Sequence, residues 1–321
     1  MLSSMLAGGR TSRLAPVPLP LLPVLLAVFL ALSAACTGAS TSSRSNRLPV
    51  VTTVTQVSAL VRAVGGGRVE LTALLTPRDD PHQYELKPDQ VATLSRAAVV
   101  FESGAGADKW MDRGLSAAGA QGRLVDLSRS VRLRQSGGAG EGGADPHWWY
   151  DVDDAAQATD AIASALARAD PAGAAAYRDN ADALKQRLNA ADRDIRALLD
   201  PVPPSRRLFV ANHDAFNYFL ARYGITLVGD VVPSTDSIQA VRPADVARLV
   251  AAIRERHVCA IFTETTMDPK LVGQVAAEAG VRVYDGRLYG DALGEPGTPE
   301  GTLEGALLKD GQLMAQAFTS C

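Results

Sequence analysis

The sequence predicts an α/β protein built as two (β/α) lobes with parallel sheets, joined by one long connecting helix. Short apolar runs alternate with helical patterns, the signature of βαβ units and parallel sheets. An Ala-rich helical stretch, Ala155 to Leu199, interrupts that alternation once, and the rhythm resumes beyond it. Residues suited to holding a cation divide evenly between the halves, and a cation bridging them would sit in the interlobe cleft.

Residues 1–35 stand outside this pattern. Arg10 and Arg13 supply a positive start, and Leu19 to Leu32 is an apolar run broken by Pro20 and Pro23, too short and interrupted for a membrane span. It ends Leu32-Ser33-Ala34-Ala35-Cys36, followed by Thr37-Gly38-Ala39-Ser40. Small residues before a cysteine, then a polar tether (36–47), resemble a bacterial lipoprotein signal with Cys36 as the lipidated first residue. Ser33 stands where a Leu is usual, and an ordinary secretory signal is the alternative. Loss of the leader's two arginines takes the net charge from −3 to −5, which gives no reason to expect nucleic acid as a partner. Cys259 and Cys321 then remain, either as a disulfide tying the last residue to a C-terminal strand or as two free thiols.

In the N-terminal lobe (48–154), strands are expected at Pro49–Thr53, Val69–Leu75, Ala97–Phe101 and Gly122–Leu127, with helices at Val57–Val64 and Pro88–Arg96. Gly65-Gly66-Gly67 stops the first helix, and Pro88 opens the second. A Gly-rich loop, Ser136 to Gly143, precedes Asp145. The connecting segment (155–200) carries an apolar stripe of Tyr177, Leu184, Leu188, Ile195, Leu198 and Leu199, with a break expected at Asp170-Pro171. In the C-terminal lobe (201–321), strands are expected at Leu208–Ala211, Thr226–Val228, Val258–Thr263 and Val281–Tyr284. Helices are expected at Ala215–Phe219, Pro243–Arg256, Asp268–Gly280 (Pro269 at its first position) and from about Pro299.

The chemistry-bearing residues lie at the ends of these elements. Asp80-Pro81-His82 follows a strand, and Asp145-Pro146-His147 echoes it before the long helical stretch. Proline fixes its own φ and keeps the preceding residue extended, so each histidine is presented from a stiff turn. A pair of unrelated turns with exposed histidines is the bland alternative. His213 and Asp291 also follow strands, where ligands of open parallel sheets bind. Separations of 65, 66 and 78 residues make no local chelate, and spacing alone identifies no site. The fourth histidine, His257, matches no motif and reads as a solvated helix end, and Trp148 and Trp149 read as cleft wall or core.

In order along the mature chain come Asp80-Pro81-His82-Gln83-Tyr84-Glu85 with Lys87-Pro88, Asp145-Pro146-His147-Trp148-Trp149, Asn212-His213-Asp214-Ala215-Phe216-Asn217-Tyr218-Phe219, Phe262-Thr263-Glu264-Thr265-Thr266 and Leu288-Tyr289-Gly290-Asp291-Ala292-Leu293-Gly294. This ordered set resembles the zinc- and manganese-binding solute-binding proteins (the cluster A-I family) of bacterial ABC importers. The resemblance implies four metal ligands, His82, His147, His213 and Asp291, and a rigid connector permitting only modest closure. It also implies delivery to permease subunits driven by a cytoplasmic ATPase, from a lipid-anchored monomer on the extracytoplasmic face of the membrane (secreted or periplasmic without the lipid). Three imidazoles and a carboxylate favour Zn²⁺ over Mn²⁺, and members resembling manganese binders commonly carry Glu where this chain has His213. The Ser136–Gly143 loop lacks the histidines that many zinc-specific relatives carry there. Asp214, Glu264 and Asp145 are candidates to orient the imidazoles, or else merely shape their own loops. Metal affinity is expected to fall as the histidines protonate below about pH 6.5. A zinc hydrolase would keep a coordination position open for water, and neither His-Glu-x-x-His nor Gly-x-Ser-x-Gly is present. An adhesin would ask for an apolar patch or a repeat, and neither is found.

Overall fold

The computed structural model describes residues 47–135, 143–232 and 241–320. Cys36 with its leader, most of the Gly-rich loop and Cys321 lie outside the described residues, and so does the pairing expected of Cys259 with Cys321. The first lobe is a four-stranded parallel sheet, β1 (Leu48–Thr52), β2 (Val69–Ala73), β3 (Val99–Glu102) and β4 (Leu124–Asp126), in the order β2-β1-β3-β4. Helices α1 (Thr55–Gly65), α2 (Pro88–Arg96) and α3 (Met111–Ala118) cross between strands. Val57, Leu60, Val61 and Val64 of α1 are wholly buried on the sheet. Helix α3 was not expected from the sequence. It has only eight residues, too few for a sustained apolar period, and its interior Gly114 sits against Leu86 where a longer side chain would clash.

The helical stretch breaks where Asp170-Pro171 predicted. Helix α4 (Val152–Ala169) ends there, a single 3-10 turn spans Pro171–Gly173, and α5 (Ala174–Leu199) folds back against α4. The corner is fixed by the Asp170 carboxylate, which accepts from Arg68 Nε at 2.9 Å and from the Tyr177 hydroxyl at 2.8 Å. Helix α5, with 26 residues, is about 39 Å long. It packs on α1 of the first lobe and on α9 (Leu303–Thr319) of the second, and so is a spine for the apolar core that runs through both lobes. Its buried stripe is Tyr177, Ala181, Leu184, Leu188, Ala191, Ile195 and Leu199. Leu198, expected in the stripe, is 37 % exposed, because a step of three from Ile195 turns off the face that the step of four to Leu199 keeps.

The second lobe contains β5 (Leu208–His213), β6 (Thr226–Val232), β7 (Ala260–Glu264) and β8 (Arg282–Leu288), with α6 (Asn217–Tyr223), α7 (Pro243–Glu255) and α8 (Lys270–Ala279) between them. Strands pair in parallel as β5 with β6 and β7 with β8, and the two pairs meet where β5 lies beside β7. There the Glu264 amide donates to Asn212 Oδ1 at 2.9 Å, so a side chain completes the seam. Strand β7 is buried throughout, as the apolar run Ala-Ile-Phe requires of a central parallel strand. Val210, Val231, Leu249, Ile253, Ile261, Val272 and Val275 form a second core under α7 and α8. Among the described residues, no helix is long and apolar enough to cross a membrane.

Because the α5 stripe is buried in the core shared by both lobes, truncation on it is costly. Leu188→Ala should lower unfolding free energy by about 2–5 kcal/mol, whereas Leu198→Ala should stay within about 0.5 kcal/mol. Denaturant titration of both variants checks the contrast, and equal losses would contradict this assignment of the buried face.

Candidate metal centre

Both Asp-Pro-His turns use the same local device. The aspartate side chain accepts the amide of the histidine two residues on: Asp80 Oδ1 from His82 at 2.8 Å, and Asp145 Oδ1 from His147 at 3.0 Å. Such Asx turns let a short carboxylate replace a backbone partner and hold a tight bend. Trp110 Nε1 braces the first turn by donating to the Pro81 carbonyl at 2.9 Å. The two then diverge in function, since Asp145 Oδ1 also faces its histidine's ring nitrogen, His147 Nδ1, at 2.8 Å.

His213 closes β5, and its amide donates to Glu264 Oε1 at 3.1 Å across the β5–β7 seam. The other oxygen, Glu264 Oε2, lies 2.9 Å from His213 Nδ1. Asp291 follows β8, and its neighbour Gly290 passes so close to Glu264 that an added Cβ would stand 2.2 Å from Oε2. Only glycine permits that approach.

These turns and strand ends bring His82, His147, His213 and Asp291 together, with their ligand atoms within 4.8 Å of one another. Asp291 is the hub. Its Oδ1 is 3.2 Å from His147 Nε2 and 3.6 Å from His82 Nε2, and its Oδ2 is 3.0 Å from His213 Nε2. All three Nε2 atoms and Asp291 Oδ1 are buried without a well-aligned hydrogen bond. Unpaired buried polar atoms are costly, and their convergence is what a bound cation would relieve. The donor set is three imidazoles and a carboxylate, which suits a borderline divalent cation.

The electrostatics follow from the carboxylates. Burial opposes the charged form of His147, but the Asp145 and Asp291 carboxylates against its two ring nitrogens outweigh it and lift its pKa to about 9. His213 is likewise raised well above the ordinary imidazole range, its burial outweighed by Glu264 and Asp291. Asp291 is held well below the usual carboxylate range, since His213 and His82 overcome the effect of its burial. Proton competition at His147 therefore sets in near pH 9 in the metal-free protein, higher than the pH 6.5 expected from an unperturbed imidazole.

Of the three acids expected to orient imidazoles, Asp145 and Glu264 contact ring nitrogens, of His147 and His213. Asp214 does not; it is half-buried, and burial raises its pKa. His257 is exposed at the end of α7 and lines a separate cavity with Arg206, Cys259 and Phe318. Trp148 and Trp149 are buried, the latter edge-on to His147 with ring centroids 5.4 Å apart. The sequence reading missed the turn-closing role of Asp80, although the repeated Asp-x-His spacing carries that signal. It also missed Asn217, Tyr150 and Gln56, which sit next to the site for reasons no local pattern records.

Two α/β lobes on a helical spine, with buried imidazoles and a carboxylate converging between them, define a metal-binding solute-binding protein of an uptake system. The family described as ZnuA, zinc-uptake complex component A, periplasmic, matches residues 50–317, and the chain belongs to that family, whose members are transport components and not enzymes. The chain is 34 % identical over 287 residues to the manganese-binding lipoprotein MntA of Bacillus subtilis, covering 88 % of this chain and 93 % of that one. It is 24 % identical to the iron ABC transporter substrate-binding lipoprotein MtsA of Streptococcus pyogenes over 87 % of this chain and 91 % of the relative. Its fold is similar to the periplasmic zinc-binding protein TroA from Treponema pallidum, with a TM-score of 0.78 and 28 % identity over 85 % of this chain and 99 % of that structure.

The raised His147 pKa has a measurable sign. A group whose folded value lies above its unfolded one stabilises the fold fully below the unfolded pKa, about 6.5, and loses that contribution as pH rises through the folded value. With chelator present, the wild type should therefore lose stability between pH 6.5 and about 9 more steeply than His147→Gln. Denaturant midpoints across that range check it, and parallel curves would refute the coupling of His147 to Asp145 and Asp291.

Proposed function

We propose that this chain captures one Zn²⁺ ion on His82, His147, His213 and Asp291 at the extracytoplasmic face of the membrane. It hands the ion to the permease of an ABC importer driven by a cytoplasmic ATPase. In this reading residues 48–154 and 201–321 are the two lobes, 155–200 the connector, and Cys36 carries the lipid anchor, with Cys259 and Cys321 joined as a disulfide. The observation that carries it is the convergence on one carboxylate of three buried Nε2 atoms, none with a well-aligned hydrogen bond. Four protein donors fill a tetrahedral zinc shell, as in sites that hold zinc without reacting at it. Asp145 and Glu264 against the outer nitrogens of His147 and His213 fix each ring so that its Nε2 faces the ion.

A second reading, manganese, rests on one specific feature. Both oxygens of Asp291 face imidazole nitrogens, so the carboxylate is set to chelate through two oxygens and give a five-donor shell richer in oxygen. The Bacillus subtilis relative is named for manganese. Competitive titration of chelator-stripped protein lacking residues 1–36 separates the two. One equivalent of tight Zn²⁺ with much weaker Mn²⁺ supports zinc, and tight Mn²⁺ supports the bidentate geometry.

Removing a donor should be far costlier than removing a distant imidazole. His213→Ala should weaken Zn²⁺ binding by at least about a hundredfold, whereas His257→Ala should leave it within about twofold. Equal and negligible losses in calorimetry would sink the ligand assignment. Asp145→Asn should weaken binding by about 10–100-fold while leaving one metal site per chain.

A further inference from the structure

Each lobe holds the other lobe's donor. Asp291 belongs to the second lobe, and the Tyr289 amide is tied within that lobe to Asp310 at 3.0 Å. From the Tyr289 carbonyl onward, however, the segment is gripped by residues from the first half of the chain. The Tyr150 hydroxyl lies 2.5 Å from the Tyr289 carbonyl and 2.9 Å from that of Gly290, which also accepts from Gln56 Nε2 at 3.2 Å. The Leu293 amide donates to Thr55 Oγ1 at 2.9 Å, so the first turn of α1 clamps the far side of Asp291.

The reverse grip holds His147. Its orienting carboxylate, Asp145, is bonded through Oδ2 by Asn217 Nδ2 at 3.2 Å, and the Asp145 carbonyl accepts from the Tyr218 hydroxyl at 3.0 Å. Both come from α6 of the second lobe. The same Tyr218 oxygen accepts the Arg134 amide at 2.7 Å, so α6 fastens both arms of the loop that presents His147. His82 and His213, by contrast, are braced within their own lobes, by Asp80 with Trp110 and by Glu264.

We propose that Tyr150 and Asn217 are positioning residues that make two of the four metal donors conditional on closure of the cleft. The inference rests on the metal reading above. A hydrogen bond near 3 Å is lost when its partners separate by about 1 Å. A small parting of the lobes therefore releases Asp291 and His147 together, and leaves the ion on His82 and His213, one donor in each lobe. Metal release then answers to a movement of about 1 Å, which loosens half of the donor set at once.

The test is the rate of Zn²⁺ transfer to a chromophoric chelator, by stopped flow, from the chain lacking only its leader. Tyr150→Phe and Asn217→Ala should each speed release about tenfold, the cost of about one buried hydrogen bond. The double variant should fall short of the hundredfold product, because both grips fasten the same closed state. The Co²⁺ absorption spectrum should keep its intensity, reporting an unchanged donor set. Unfolding midpoints of the metal-bound variants should drop more than those of the metal-free ones, which a merely structural bond would not do. Release within twofold of wild type, or equal drops in both midpoints, overturns the proposal while wild-type metal retention leaves the metal reading standing. A wild type that retains no metal overturns the metal reading and this proposal with it.

Discussion

One carboxylate organises the cleft. Asp291 faces three imidazole nitrogens at 3.0 to 3.6 Å, and much of the surrounding architecture keeps those four groups in that relation. A buried acid beside imidazoles is stable in two ways: His147 and His213 carry protons, or a cation replaces those protons. The raised pKa of His147 and His213 and the lowered pKa of Asp291 express the first state, and metal capture is its exchange for the second. Asp145 and Glu264 keep the outer nitrogens engaged in either state, so the rings need not turn when the exchange occurs.

The scaffold achieves this from strand ends and turns that differ in kind. Two donors stand on short Asx-closed turns, one on the last residue of a buried strand, and one on a glycine-dependent loop. A spine helix buried in the core that both lobes share holds them in a common frame. Large hinge rotation would strip apolar contacts from Leu184, Leu188 and Ile195, each of which is almost completely buried. Small displacements cost little of that burial, and hydrogen bonds across the cleft sense them.

Much of this was legible in the sequence. The alternation of apolar runs and helical patterns located the eight described strands within about four residues, and the mostly buried β1, β3, β5 and β7 leave the continuous apolar signals. The Asp170-Pro171 break was legible because proline cannot continue a helix. Helix α3 was not, since eight residues with an interior glycine give no sustained period. Leu198 was misassigned because adjacent leucines can be separated only by register, which tertiary packing decides. His82, His147, His213 and Asp291 were singled out as candidates by residue type and by their place after strands or before the helical stretch. The bonds made by Asn217, Tyr150 and Gln56 were not legible, because a hydrogen bond between residues 72 or 234 positions apart leaves no trace in local pattern.

Gly290 carries a consequence of its own. It touches no cargo and offers no donor, yet the space where its side chain would be is filled by the oxygen that faces His213. A single methyl group there would push Glu264 off the ring and shift Asp291 at once, damaging two donors through a residue that a survey of polar side chains would pass over. The tolerance of the cleft to sequence drift is therefore set partly by an atom that is not there.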